Sequence, residues 1–381
     1  EVTAMFDRKP CVYLVGREYQ IVFNTVEPGI GWVEVDGEVY PDEKNGLMRS
    51  GTLHRAAVPC DRLDAAKRYA VCFRALPERK PYWPELGALE RQEYAFRPID
   101  WRDGLQIYHL ADAHSHAAEA VETGRYFGEK LDLLVMNGDI PAESKTERDV
   151  LAVFDIAGGV TGGERPVVFA RGNHDTRGKF ALEFTDFIGT DRGDTYFTFR
   201  SGGLWGIVLD CGEDKRDSSD EYGGIVCCEP FRRRQTAFLR RVVERKAEEF
   251  GAEGVSLRLA VCHVPFMTEL MAAAGDKFDI ERERYAEWTA LLNEMGIDLM
   301  LCGHQHSLHA FKPGDPALRY GANFPVLVGS MPMFFKKDDQ RSDRFVGAAL
   351  EAKDGEIAAT YTDNKGWREP AFTVPFGAAK Q

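Results

Sequence analysis

Five short apolar runs, each ending in a cluster of histidine, aspartate or asparagine, constrain this chain more than any other feature. Residues 105–110 lead into Asp112-Ala113-His114, 131–136 into Asn137-Gly138-Asp139, and 166–170 into Gly172-Asn173-His174-Asp175. Residues 256–262 end at His263, and 297–302 run into Gly303-His304-Gln305-His306. Apolar runs of this length read as buried strands, and strand ends in an α/β sheet deliver their side chains into one crevice. Carboxylate, amide and imidazole groups gathered there describe a site for two metal ions.

Helical stretches separate most of these strands, starting with the Ala-rich 117–130, so the chain from Leu105 onward predicts an α/β fold. Further strands are expected at 196–200, 204–209 and 326–328, with a strand pair over 345–362 turning at Lys353-Asp354-Gly355. Phe231, Phe238, Leu239, Val242 and Val243 make an apolar helical stripe, and Arg232, Arg233, Arg234, Arg240 and Arg241 are expected on the solvated face. Residues 1–98 have another pattern: β-type runs at 11–15, 19–23, 32–35, 52–58 and 69–73 between Gly, Pro, Asp and Asn turns. That spacing predicts a small antiparallel β-sandwich. A boundary near 98–104 divides the chain into domains over 1–100 and 101–381, as its length allows.

A net charge of −13 provides no general field for polyanions, which argues against nonspecific DNA or RNA binding. No apolar run reaches about 18 residues, so no membrane span is expected. The eight cysteines lack Cys-x-x-Cys spacing, and Cys262 and Cys302 sit inside apolar strands, where thiols act as small hydrophobes. Free thiols favour a reducing, cytoplasmic setting. Export stays open, because the sequence starts at Glu1.

Each cluster alone has an ordinary reading. Asp112-Ala113-His114 and Gly138-Asp139 could be turns, Asn173 a helix cap, and His263 a core histidine. Their chemistry is more specific. Asp112 and His114, like His304 and His306, are two apart, so in extended chain each pair shares a side. Asp139 can bridge two cations through its two oxygens. Asn173 offers a neutral oxygen that leaves positive charge uncancelled for a substrate, and His174 beside it can donate a proton.

In this order the clusters resemble the signature of the calcineurin-like metallophosphoesterase superfamily: Asp-x-His, Gly-Asp, Gly-Asn-His-Asp, a lone His, and Gly-His-x-His. The resemblance spans about 107–309 and implies a four-layer αββα sandwich. The β-rich start resembles the fibronectin-type-III-like domains that precede some phosphoesterase catalytic domains, so the expected fold class is α/β, preceded by a small all-β sandwich domain. The family pattern implies one metal on Asp112, His114, Asp139 and His306, and another on Asp139, Asn173, His263 and His304. Two divalent ions, drawn from manganese, iron, zinc, cobalt or nickel, would be the cofactors. His174 would be the general acid, with Asp175 either orienting its ring or capping the turn.

Two branches of the family fit less well. Protein serine/threonine phosphatases carry an Asp-Arg pair shortly after Gly-Asp, where this chain has Ile140-Pro141-Ala142-Glu143. Purple acid phosphatases place a metal-binding tyrosine three residues after that aspartate, where Ala142 stands here, so no iron–tyrosinate colour is expected. The expected reaction is hydrolysis of a small phosphomonoester or phosphodiester by a metal-bridging hydroxide. His116 and Arg177 are candidate substrate contacts. Segment 212–224 reads as a long polar lid whose acids repel polyanions, with Lys215 and Tyr222 as further candidates. A nuclease, which would need a basic groove, and a non-catalytic metal-binding scaffold are the alternatives. The sequence specifies no protein partner.

Overall fold

The computed structural model describes residues 5–329, 331–334 and 341–377, and contains two sheets and a two-stranded hairpin. In the larger sheet the order is Arg368–Pro375, Glu356–Asp363, Arg341–Lys353, Leu105–Leu110, Leu133–Asn137, Pro166–Ala170, Cys11–Val15, Glu18–Val35, Arg68–Ala75 and Glu90–Ala95. The second sheet runs Phe197–Ser201, Leu204–Leu209, Leu257–Cys262, Leu299–Cys302, Val326–Val328 and His309–Phe311. Leu105–Leu110, Leu133–Asn137 and Pro166–Ala170 are mutually parallel, as are Leu204–Leu209, Leu257–Cys262, Leu299–Cys302 and Val326–Val328. Parallel strands covered on both faces favour apolar side chains on both, which is why these segments stand out as mainly apolar runs, with His109 and Asn137 as buried polar exceptions.

Alternation along the strands divides the core. Leu204 and Val208 join the apolar cluster between the sheets, while Trp205, Ile207 and Leu209 join the cluster under helices Cys228–Glu244 and Arg282–Met295. Helices Ala117–Gly124 and Ala152–Thr161 cover the first sheet. The result is the αββα layering expected from the resemblance.

The expected β-rich N-terminal region is present, and its first strand is built into the larger sheet. Cys11–Val15 lies parallel to Pro166–Ala170, with Val12 opposite Pro166. Its next residue, Gly16, exchanges backbone hydrogen bonds with Thr198 and Arg200 of the second sheet, both at 2.8 Å. Arg55 donates to the carbonyls of Thr185, Asp186 and Ile188 at 2.9, 3.1 and 2.7 Å. All five residues of Cys11–Val15 are buried, the mark of a strand inside a sheet.

Several elements differ from the reading of the sequence. Runs 19–23 and 32–35 are one strand, Glu18–Val35, whose pairing shifts register between Asn24 and Gly29. Glu90–Ala95, mostly polar with only Tyr94 buried, is an edge strand that apolar patterning does not reveal. Arg232 is not on a solvated face but fully buried, with Nη1 donating to the carbonyls of Cys211 and Glu213 at 2.6 and 3.1 Å and Nε paired with Glu281. Segment 212–224 is not an exposed lid throughout, since residues 211–215 and Tyr222 are buried. All eight cysteines are free, and Cys262 and Cys302 are buried in their strands.

Candidate metal centre

Ligand-bearing loops follow the parallel strands, and their backbones are bent to aim side chains inward. Asp112, His114, Asp139, His304 and His306 have φ of 54, 42, 53, 73 and 49°, in the left-handed region that costs non-glycine residues about 1–3 kcal/mol each. Close approach of the loops explains the adjoining glycines. A Cβ on Gly138 would lie 2.5 Å from the Gly172 nitrogen, and one on Gly172 would lie 2.2 Å from Asp139 Oδ1.

Donor atoms converge as a result. Asp112, His114 and His306 form one group, and Asp139, His263 and His304 another, each with its ligand atoms within 4.8 Å of one another. His114 Nε2 and His306 Nε2 are 2.9 Å apart, and His306 Nε2 lies 3.4 Å from Asp112 Oδ1. His304 Nδ1 is 2.9 Å from Asn173 Oδ1. His263 Nε2 is 3.1 Å from Asp139 Oδ2 and 3.7 Å from Asp112 Oδ1.

His263 tests whether this donor set suits a cation. Its Nδ1 donates to the Asn137 carbonyl at 2.6 Å, while the buried Nε2 has no hydrogen-bond partner and faces carboxylate oxygen. A ring nitrogen set 3.1 Å from a carboxylate oxygen suits a cation between them, and the carbonyl on the other nitrogen is the usual outer partner of a metal-binding histidine. Burial opposes charge on His263, yet Asp139 and Asp112 push it up to about 10, so the pocket attracts positive charge. Burial also works against ionisation of Asp139, but His263, His174 and His114 hold it well below the usual carboxylate range. Burial drives His114 and His304 down to about 4, leaving neutral rings with lone pairs for a metal.

His174 stands at the edge of this cluster. Its backbone N–H donates to Asp139 Oδ1 at 2.8 Å, its Nδ1 lies 2.8 Å from the Ala142 carbonyl, and Arg177 Nη1 is 3.2 Å from its Nε2. Asp175 turns the other way, accepting backbone N–H groups from Gly172, Asp139 and Ile140 at 2.7, 3.1 and 3.1 Å. Burial and the neighbouring Asp139 charge push it up to about 8.

A cleft of about 290 Å³ opens over the cluster, lined by Asp139, Asn173, His174, His304 and His306, with Arg177, Asp214, Lys215, Phe278 and Gln305 around them. Arg177 lines it, with Nε and Nη2 forked onto buried Glu213 at 2.8 and 2.7 Å. His116 does not line the cleft and instead precedes helix Ala117–Gly124. The positive φ of His114 and Ser115 turns the chain there, so side-by-side alternation no longer applies. Lys215 lines the cleft with its ammonium held by Asp214 and Glu221 at 3.1 and 2.7 Å, and Tyr222 donates to Asp214 at 3.0 Å. Glu213, Asp214, Phe278 and Gln305 were not singled out by the motif reading. For Glu213 and Asp214 a signal existed: they follow the apolar strand Leu204–Leu209, which ends beside Cys262 and therefore near His263. Larger clefts elsewhere, such as the 490 Å³ one beside Arg17, Arg200 and Arg245, contain none of these donors.

Residues 105–308 match the family model of the calcineurin-like phosphoesterases. Among solved structures, a purple acid phosphatase isolated from yellow lupin (Lupinus luteus) seeds is similar with a TM-score of 0.62 at 12% identity, covering 97% of this chain and 74% of that one. The structure of PhoD gives a TM-score of 0.52 at 12% identity, covering 100% and 94%. These likenesses are of fold. No curated protein matches the chain. Among the described residues, no helix is long and apolar enough to cross a membrane.

Proposed function

The chain belongs to the calcineurin-like phosphoesterases, and from that premise we propose that it hydrolyses small phosphomonoesters or phosphodiesters at a centre of two divalent cations. Asp112, His114, Asp139 and His306 would hold one cation, and Asp139, Asn173, His263 and His304 the other. The observation that carries this reading is the buried Nε2 of His263 set 3.1 Å from Asp139 Oδ2, with two further sets of donors converging beside it. Two such ions, when bound, lower the pKa of a shared water towards neutrality and offset charge on phosphoryl oxygens.

The protein's own groups supply the rest. With Nδ1 of His174 fixed on the Ala142 carbonyl, Nε2 is the atom that can pass a proton to the departing oxygen. The Arg177 contact to Nε2 suits the neutral ring left after that transfer. Glu213 holds Arg177 at the cleft wall through Nε and Nη2, which leaves the remaining guanidinium N–H groups to meet a phosphoryl oxygen there. Asp175 maintains the turn that carries Asn173 and His174, through its three backbone N–H bonds.

A cleft of about 290 Å³ suits a small ester, and the net charge of −13 disfavours a polyanion. Hydrolysis of p-nitrophenyl phosphate and bis-p-nitrophenyl phosphate by manganese-loaded protein, with Asp139→Asn as control, tests the reading. Turnover of either ester above the control supports it, and the preferred ester distinguishes monoesterase from diesterase. No turnover of either, with metal bound, favours the non-catalytic scaffold.

A further inference from the structure

The two ring nitrogens of His304 have different neighbours. Nδ1 lies 2.9 Å from Asn173 Oδ1, so both atoms converge on the position proposed for the second cation. Nε2 is 3.7 Å from Asp214 Oδ2. With Nδ1 as the ligand, the neutral ring carries its proton on Nε2, on the side of that carboxylate.

Asp214 is fixed rather than reaching in from the surface. Its side chain is 7% exposed, and its Oδ1 accepts from the Tyr222 hydroxyl at 3.0 Å and the Lys215 ammonium at 3.1 Å. The Lys215 backbone N–H donates to the Tyr222 oxygen at 3.2 Å, which closes the segment on itself. Arg232 ties its base to the neighbouring helix through the carbonyls of Cys211 and Glu213. By contrast, His263 and His174 rest on backbone carbonyls, those of Asn137 and Ala142.

We infer that Asp214 is a positioning residue of the metal centre: its carboxylate, 3.7 Å behind Nε2, favours the His304 tautomer that leaves Nδ1 free to bind, and its charge strengthens that ring's hold on the cation shared with Asp139, Asn173 and His263. This inference rests on the two-cation reading and adds that retention of one ion depends on segment 210–222. A carboxylate behind a metal-binding imidazole raises the basicity of the ligand, and loss of such a partner typically weakens metal binding about 10–100-fold.

The test is a Mn²⁺ titration of the metal-free full chain by calorimetry, with paramagnetic resonance to separate the two sites and metal-free melting to monitor the fold. Asp214→Asn should weaken one of two binding steps about 10–100-fold and leave the other unchanged. Tyr222→Phe should weaken the same step by less. Asp220→Asn, at an exposed position of the same segment, should change neither. Wild-type affinity at both sites in Asp214→Asn and Tyr222→Phe overturns the role of Asp214, as does equal weakening of both steps. Wild-type protein that binds no Mn²⁺ overturns the metal centre itself and this inference with it.

Discussion

His263 Nε2 lies 3.1 Å from Asp139 Oδ2 while its Nδ1 is committed to the Asn137 carbonyl at 2.6 Å. Lone pair and carboxylate oxygen therefore confront each other unless a cation or a proton lies between them. Asp139 also belongs to a group with His114 and His174. Asp139→Asn removes charge from this junction and should lose both cations. Metal analysis after gel filtration checks this, and a variant that retains two ions contradicts the shared role.

His174 carries the proposed proton transfer without belonging to either proposed ligand set. His174→Ala should keep its metals but turn over an alkyl phosphoester about 10²–10⁴-fold more slowly, since that is the usual contribution of a general acid. Loss should be smaller with p-nitrophenolate, which needs little protonation to leave. Steady-state kinetics on both esters reads the difference, and equal losses contradict the role.

Asp132 predicts a pH dependence of stability remote from the metal. Burial pushes its carboxyl up to about 6, although the Gln106 N–H donates to it at 2.8 Å. An unfolded aspartate titrates near 3.9, so between about pH 4 and 6 the folded state binds the extra proton. The stabilisation is full below about pH 4 and is lost as pH rises through about 6. Metal-free Asp132→Asn should therefore melt above wild type at pH 8, by a margin that shrinks towards pH 4. A margin independent of pH contradicts the assignment.

We propose that residues 101–381 form the catalytic domain but depend on 1–100 for their fold. Deleting 1–100 exposes the edge of Pro166–Ala170 and removes Arg55 from the carbonyls of 185–188. An uncovered apolar edge strand invites aggregation. The fragment 101–381 should be insoluble or melt far below the full chain in thermal unfolding, and equal melting temperatures would refute the dependence.

Particular residues show why some of this was legible in the sequence. Leu105–Leu110, Pro166–Ala170 and Leu204–Leu209 are buried on both faces, so their apolar runs announce both the strand and the loop after it. The ligand candidates follow directly, since polar groups gathered at successive strand ends meet in space. Sheet order was not legible. The pairing of Val12 with Pro166 joins residues far apart in the chain and leaves no local signature. Arg232 misled for another reason: a charged side chain reads as solvated unless its partners are known, and Glu281, Cys211 and Glu213 come from other segments. The alternation argument does not hold at these turns: Asp112 and His114, like His304 and His306, are left-handed rather than extended, and the turn continues through Ser115 to His116.

Anomalous diffraction from crystals of Mn²⁺-loaded protein tests the central claim most directly. Two peaks about 3.5–4 Å apart are predicted, with the Asp139 carboxylate between them and His174 coordinating neither. A single peak, or two peaks that do not share Asp139, would contradict the account.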